Sequence, residues 1–234
     1  MKFPDIDSFK MNDTYLEEIF PSVWLMDDHR WAYYIWEKVF LKNENEGSFA
    51  LVHLACRWDG VNDFYGDPTA VRNLVEINDI DRIYSLVQRN RYVRKDSFIA
   101  PAIIRGLVDE VHFYCRQTGT GPGLYPPFLK EHKARQFIYG QIEPLLSHQI
   151  SKPIIFDIDL DLFNKSDMWD EGGPWTDQEI VEFLSMCSNL IRSSSVVTAA
   201  MSFGCSGTKQ DTRHSTRLFT SFMRDLITGS LKGS

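Results

Sequence analysis

An α/β fold, with a mainly parallel sheet carrying helices on both faces, is predicted by three observations. Short apolar runs alternate with amphipathic stretches along the chain. Each run closes near a turn residue, a charge or a glycine. No internal repeat, low-complexity tract or linker interrupts that alternation. With 234 residues, 43% of them hydrophobic and 13% aromatic, a single domain over 1–234 with a full core is expected.

The elements follow in chain order. A short apolar run predicts a strand at 24–26, and the aromatic-rich stretch after it a helix at 32–41. Trp31, Tyr33, Tyr34, Trp36, Val39 and Phe40 recur there at helical spacing, which favours a core face over a substrate wall. A strand at 50–54 precedes helices at 69–77, 80–88 and 101–107. A strand at 110–115 is followed by a helix at 129–146, a strand at 154–159, a helix at 177–192, a strand at 196–202 and a helix at 211–226. Gly/Pro-rich loops are expected at 117–127 and 170–175. The first has Gly119, Gly121 and Gly123 but lacks the lysine and hydroxyl ending of a phosphate loop, so it reads as a mobile loop over the site. Strand followed by helix favours parallel pairing, with function at the carboxyl ends of the strands.

A net charge of −7 without a basic concentration argues against nucleic acid as a partner. The first seven residues lack a signal-peptide core and no apolar run is long enough to cross a bilayer, so no membrane association and a cytoplasmic location are expected. Cys56, Cys115, Cys187 and Cys205 form no C-x-x-C pair and read as reduced core thiols.

The chemistry concentrates in Ile154-Ile155-Phe156-Asp157-Ile158-Asp159-Leu160-Asp161. Side chains two apart on a strand share a face, so the three aspartates would point one way and the aliphatic residues between them the other. Uncompensated burial of such carboxylates costs several kcal/mol each, whereas a divalent cation converts their repulsion into coordination. Metal binding is the preferred reading for Asp157 and Asp159, while Asp161, farthest along, suits either a ligand or a solvated turn. All-oxygen ligands suit magnesium or manganese, and a histidine tilts the choice toward manganese or zinc.

Two further segments could complete a site. Asp27-Asp28-His29 ends the first strand just before the aromatic helix. The run Phe49 to Asp59 passes from apolar to polar, and an extended backbone would put His53, Ala55, Arg57 and Asp59 on one face. Asp28-His29, the strand ending at Asp59, and Phe156-Asp157-Ile158-Asp159 occur in the order found in the arginase/ureohydrolase-like superfamily, which the chain resembles. The nearer likeness is to a branch whose second motif resembles D-x-H-W-D-G-V-N-D and which includes peptide arginases. Arg105 to His112 and Ser202 to Gly207 extend the likeness over most of the chain.

The resemblance implies a three-layer arginase-like α/β/α fold and a metal-dependent hydrolase acting on a guanidino compound or an arginine-containing peptide, yielding ornithine and urea. It implies His29, Asp59, Asp157 and Asp159 as metal ligands, with Asp159 or Asp161 orienting or deprotonating the attacking water. Asn62 and Asp63, in the loop after Asp59, are candidate substrate contacts by position. The second motif departs from the pattern. Ala55 stands where the family has a bridging aspartate and Arg57 where it has a histidine. Alanine offers no lone pair and a guanidinium cannot shed its proton to become a ligand. One Mn2+ ion is therefore expected in place of two, or none, with Arg57 neutralising the Asp157/Asp159 pair where the second ion would lie. A catalytically impaired binding or regulatory module is the alternative function. A thiol chemistry pairing Cys205 with His214 is a further, minor reading.

Overall fold

The apolar runs around 50 and 155 become the middle of one sheet, where β-branched and aliphatic residues pack on both faces. The computed structural model describes residues 4–42, 47–166 and 170–229. In these, the strands are β1 (Leu16–Phe20), β2 (Val23–Met26), β3 (Phe49–Ala55), β4 (Val108–Cys115), β5 (Arg135–Ile138), β6 (Ile154–Asp159) and β7 (Ser194–Ala200). They lie in the order β1-β2-β7-β6-β3-β4-β5. β1 pairs antiparallel with β2, and every other pairing is parallel.

The helices are α1 (Trp31–Lys42), α2 (Pro68–Val75), α3 (Ile80–Gln88), α4 (Ile99–Ile104), α5 (Pro126–Glu131), α6 (Ile142–Leu146), α7 (Asp177–Met186), α8 (Ser188–Ser193) and α9 (Lys209–Ile227). Strand alternation sorts them into two layers. Phe49, Leu51, Val111, Phe113 and Ile155 pack in a core with residues of α1 to α5. Their neighbours Val52, Leu54, Phe156 and Ile158 pack in a second core with residues of α6 to α9. The predicted α/β class, with helices on both faces of a mainly parallel sheet, is the observed one. Thr176 and Thr208 start α7 and α9 through reciprocal capping with Glu179 and Asp211, which satisfies two end N–H groups in each helix.

Three boundaries differ from the sequence expectation. The helix expected over 129–146 is instead α5, β5 and α6. Lys133 turns the chain with φ 55°, and Arg135–Ile138 then pairs with Glu110 to Phe113 of β4. The Gln136 carboxamide also fixes the preceding loop, accepting from Leu124 N at 2.8 Å and donating to Leu124 O at 3.1 Å. The helix expected over 177–192 is divided at Cys187 into α7 and α8. β1 was not predicted, because Leu16-Glu17-Glu18-Ile19-Phe20 lacks clean alternation and gains its strand form by pairing with β2.

Candidate metal centre

Sheet register builds the site. His53 of β3 lies opposite Asp157 of β6, which lies opposite Thr198 of β7, giving one row across three parallel strands. All three are fully buried. His29 enters from the turn between β2 and α1, and its ring lies 4.3 Å from that of Phe98, centroid to centroid.

Asp157 is saturated with donors. Its carboxylate receives His29 Nε2 at 3.0 and 3.1 Å, His53 Nδ1 at 2.7 Å and the Thr198 hydroxyl at 2.6 Å. Trp36 Nε1 in turn donates to Thr198 at 3.2 Å. Burial alone would raise the Asp157 pKa, but the two imidazoles outweigh it and hold the carboxylate well below its usual range. A carboxylate only accepts, so each histidine carries a proton on the nitrogen facing Asp157.

That tautomer leaves His29 Nδ1 and His53 Nε2 on the other side, both buried and without a hydrogen-bond partner. His29 Nδ1 lies 3.2 Å from Asp159 Oδ2 and 3.5 Å from Asp59 Oδ2, without the alignment of a hydrogen bond to either. His53 Nε2 lies 3.6 Å from the same Asp59 oxygen. Donor atoms of His29, Asp59 and Asp159 all fall within 4.8 Å of one another. His29 Nδ1 beside Asp59 and Asp159, with His53 Nε2 also beside Asp59, fits a divalent cation, and the mixed N/O set suits manganese or zinc.

Local backbone explains the aim of these groups. Asp59 exits β3 with φ 48° and Ser202 exits β7 with φ 52°, a sparsely populated conformation for non-glycine residues. Ser202 Oγ donates to Asp159 Oδ2 at 2.7 Å, and Asp161 N–H donates to Asp159 Oδ1 at 2.9 Å. Gly60 follows Asp59, where a Cβ would come 2.5 Å from Gly123 O, so only glycine lets the 117–127 loop close on this turn.

The charges balance through protons. Burial would lower His29, but Asp157, Asp159 and Asp59 hold it well above the usual imidazole value. Burial would raise Asp159, yet His29, the Asp161 N–H and Ser202 keep it low. Asp161 goes the other way. It ends the carboxylate run in a 3-10 turn, Leu160–Phe163, and burial together with the Asp159 charge pushes its carboxyl well up against the pull of Arg57.

Several expected residues take other places. Arg57 pairs with Asp161, Nη2 to Oδ2 at 3.1 Å, and Cys56 N–H holds the other Asp161 oxygen at 2.8 Å. The ion pair expected at Asp157/Asp159 is thus made with the next aspartate of the run. Asp157, whose oxygens accept from His29, His53 and Thr198, has donor atoms within 4.8 Å of those of the two histidines. Asp63 is bound by Arg94 at 2.6 and 3.0 Å and by Ser97 at 2.7 Å, which ties its loop to the 94–97 segment, and Asn62 accepts from Phe64 N–H at 3.0 Å. His214 pairs with Asp177 at 2.7 Å, while Lys95 Nζ lies 3.4 Å from Cys205 Sγ, so the Cys205–His214 pairing does not form. Ala55 is buried at the end of β3.

His53 was absent from the expected ligand set. The signal was present in the alternation that puts it on the face of Ala55, Arg57 and Asp59, but register against Asp157 is a tertiary fact. A cleft of about 240 Å3 opens beside the cage, with Asp13, Asp27, Asp28 and His29 on its wall along with Lys95 and Cys205.

No family model matches the chain, and no curated protein does. Similar solved structures include proclavaminate amidino hydrolase from Streptomyces clavuligerus, at 16% identity and a TM-score of 0.48, covering 87% of this chain and 64% of that one. Helicobacter pylori arginase aligns at 11% identity and a TM-score of 0.45, covering 85% of this chain and 72% of that one. Formimidoylglutamase from Bacillus subtilis subsp. subtilis str. 168 aligns at 10% identity and a TM-score of 0.48, over 86% and 60% respectively. The chain therefore spans less than two thirds of the length of the amidino hydrolase and of the formimidoylglutamase.

Proposed function

We propose that the chain is a metal-dependent hydrolase of carbon–nitrogen bonds in amidino or guanidino groups, working with one cation held by His29, His53, Asp59 and Asp159. The observation that carries this reading is the pair of buried nitrogens on His29 and His53 that face away from Asp157 toward Asp59 and make no hydrogen bond. A carboxylate behind two histidines fixes their tautomers and raises their basicity, which is the outer-shell arrangement of histidine metal sites. The order of the three motifs and their likeness to the arginase/ureohydrolase-like superfamily point to the same chemistry. Manganese is the cation proposed.

A cation there would supply Lewis-acid polarisation and lower the pKa of a water. The residues do the rest. Asp157 and Thr198 hold both imidazoles in register. Asp159, fixed by Ser202 and the Asp161 N–H, keeps one oxygen on the cage and is placed to orient a water. Asp161, whose carboxyl burial and the Asp159 charge push well up, stands beside Arg57, where a leaving amine would need a proton. The carboxylates of the adjoining cleft suit a cationic guanidinium, and an arginine side chain within a peptide is the substrate class proposed.

Incubation of the purified protein with manganese and a panel of arginine-containing peptides, followed by mass spectrometry for ornithine and urea, tests the reading. Ornithine formation that chelation abolishes is expected; no turnover across a broad panel with manganese bound would overturn it. The Arg57–Asp161 pair favours a second reading, a binding or regulatory module. There a fixed guanidinium fills the place of a second ion, and cation binding without turnover is the outcome that distinguishes it.

A further inference from the structure

On the opposite face of the sheet, Glu110 and His112 of β4 alternate with Val111 and Phe113, which pack in the α1 to α5 layer. Their side chains therefore point into the other layer, away from the His29 cage. Glu110 is 3% exposed and His112 fully buried. His148, just after α6, closes on them, and donor atoms of the three residues lie within 4.8 Å of one another.

The hydrogen bonds around this cluster fix which atoms it offers. Glu110 Oε1 accepts from His112 Nε2 at 2.7 Å. Its other oxygen is taken by Arg135 Nε at 2.9 Å and by Arg135 Nη2, which immobilises the carboxylate. The Tyr139 hydroxyl bridges His112 Nδ1 at 2.9 Å and His148 Nδ1 at 2.8 Å. One phenol thus anchors the Nδ1 of both imidazoles, while His112 Nε2 faces the Glu110 carboxylate. Stacking fixes the rings as well, with Phe137 4.9 Å from His112 and 4.7 Å from His148, centroid to centroid.

We propose that Glu110, His112 and His148 form a second cation site, with two histidines and one carboxylate as ligands, selective for zinc-like divalent ions and independent of the His29 cage. Two imidazoles and one carboxylate with an open fourth position make a recognised zinc donor set. The outer partners are already in place, with Tyr139 behind both histidines and Arg135 behind the carboxylate. Loading requires only a tautomer change in His112. Its proton moves from Nε2 to Nδ1, both Nδ1–H groups then donate to the Tyr139 oxygen, and the phenol proton turns outward, so no net proton is lost. Because His112 belongs to β4 and His148 follows α6, the ion would tie that helix to the sheet.

The test is zinc content per chain after incubation with zinc and gel filtration, for the whole protein and for His148→Ala, with zinc-edge anomalous diffraction on the unaltered chain. Two ions per unaltered chain are expected, falling to one in His148→Ala, with an anomalous peak among Glu110, His112 and His148. Tyr139→Phe should retain the ion with affinity reduced roughly 10- to 100-fold. If the cage reading alone fails, the unaltered chain carries one zinc and His148→Ala none. Equal zinc content in the unaltered chain and His148→Ala, or a map with no peak at this cluster, would overturn the proposal.

Discussion

Asp157→Asn tests the tautomer argument, because it keeps size and shape while removing the charge and the capacity to accept on both oxygens. In the native site one carboxylate receives His29, His53 and Thr198 at 2.6 to 3.1 Å. An asparagine offers one accepting oxygen and one donating NH2. If the NH2 takes the place of Oδ2, His53 must present a bare Nδ1 and carry its proton on Nε2, where it blocks the cage. If it takes the place of Oδ1, Thr198 must reverse and His29 loses half of its bidentate contact. Outer-shell changes of this kind cost about 10- to 100-fold in metal affinity, or roughly 1.4 to 2.7 kcal/mol. Isothermal titration with manganese measures the loss, and thermal unfolding of the metal-free variant verifies that it is folded. Thr198→Val, which spares both imidazole contacts, should cost less. Unchanged manganese affinity in a folded Asp157→Asn protein would refute the tautomer reasoning.

Four other outcomes follow from the same geometry. Ala55→Asp combined with Arg57→His should raise manganese stoichiometry at the cage from one to two by equilibrium dialysis, since it removes the guanidinium and restores two donors. Arg57→Met should destabilise the chain by about 1 to 3 kcal/mol in urea, because it leaves the buried Asp161 carboxyl without the guanidinium that hydrogen-bonds it. With the folded pKa of His29 raised, the stability its charge contributes is present below pH 6.5 and is lost as pH rises through the folded value. A cation must displace that proton, so manganese affinity measured by titration should increase with pH over the same range. The Cys56 thiol is pushed up to about 11 by burial and Asp161, so roughly one molecule in a thousand is thiolate at pH 8. Cys187, pushed up to about 12 by burial, should alkylate more slowly still, each rate rising about tenfold per pH unit by mass spectrometry.

The long buried strands were legible because both of their faces are apolar or chemically marked, as at Ile154 to Asp159. α1 was legible for a like reason, since Trp31, Tyr33, Ile35 and Trp36 supply a strong core face. β5 was not, because Arg135-Gln136-Phe137-Ile138 sits inside a stretch of helix-forming residues, and pairing with β4 overrides that propensity. At the site, residue types and motif order identified His29, Asp59 and Asp159 as neighbours, and the geometry brings their donor atoms together. What periodicity could not assign is depth. Asp157 and Asp159 share a strand face, yet the first lies among imidazole N–H groups and the second at the cage, a difference made by where His29 and His53 reach β6. The fate of Arg57 was likewise a matter of reach, its guanidinium meeting Asp161, the last aspartate of the run.

Anomalous diffraction at the manganese edge, from crystals grown with manganese, tests the central claim most directly. The account predicts a single manganese peak on this face of the sheet, coordinated by His29 Nδ1, His53 Nε2, Asp59 and Asp159, with Asp157 outside the ligand shell. A bridged pair of manganese peaks with the Arg57 side chain displaced from Asp161, or a cage with no peak at all, would contradict it.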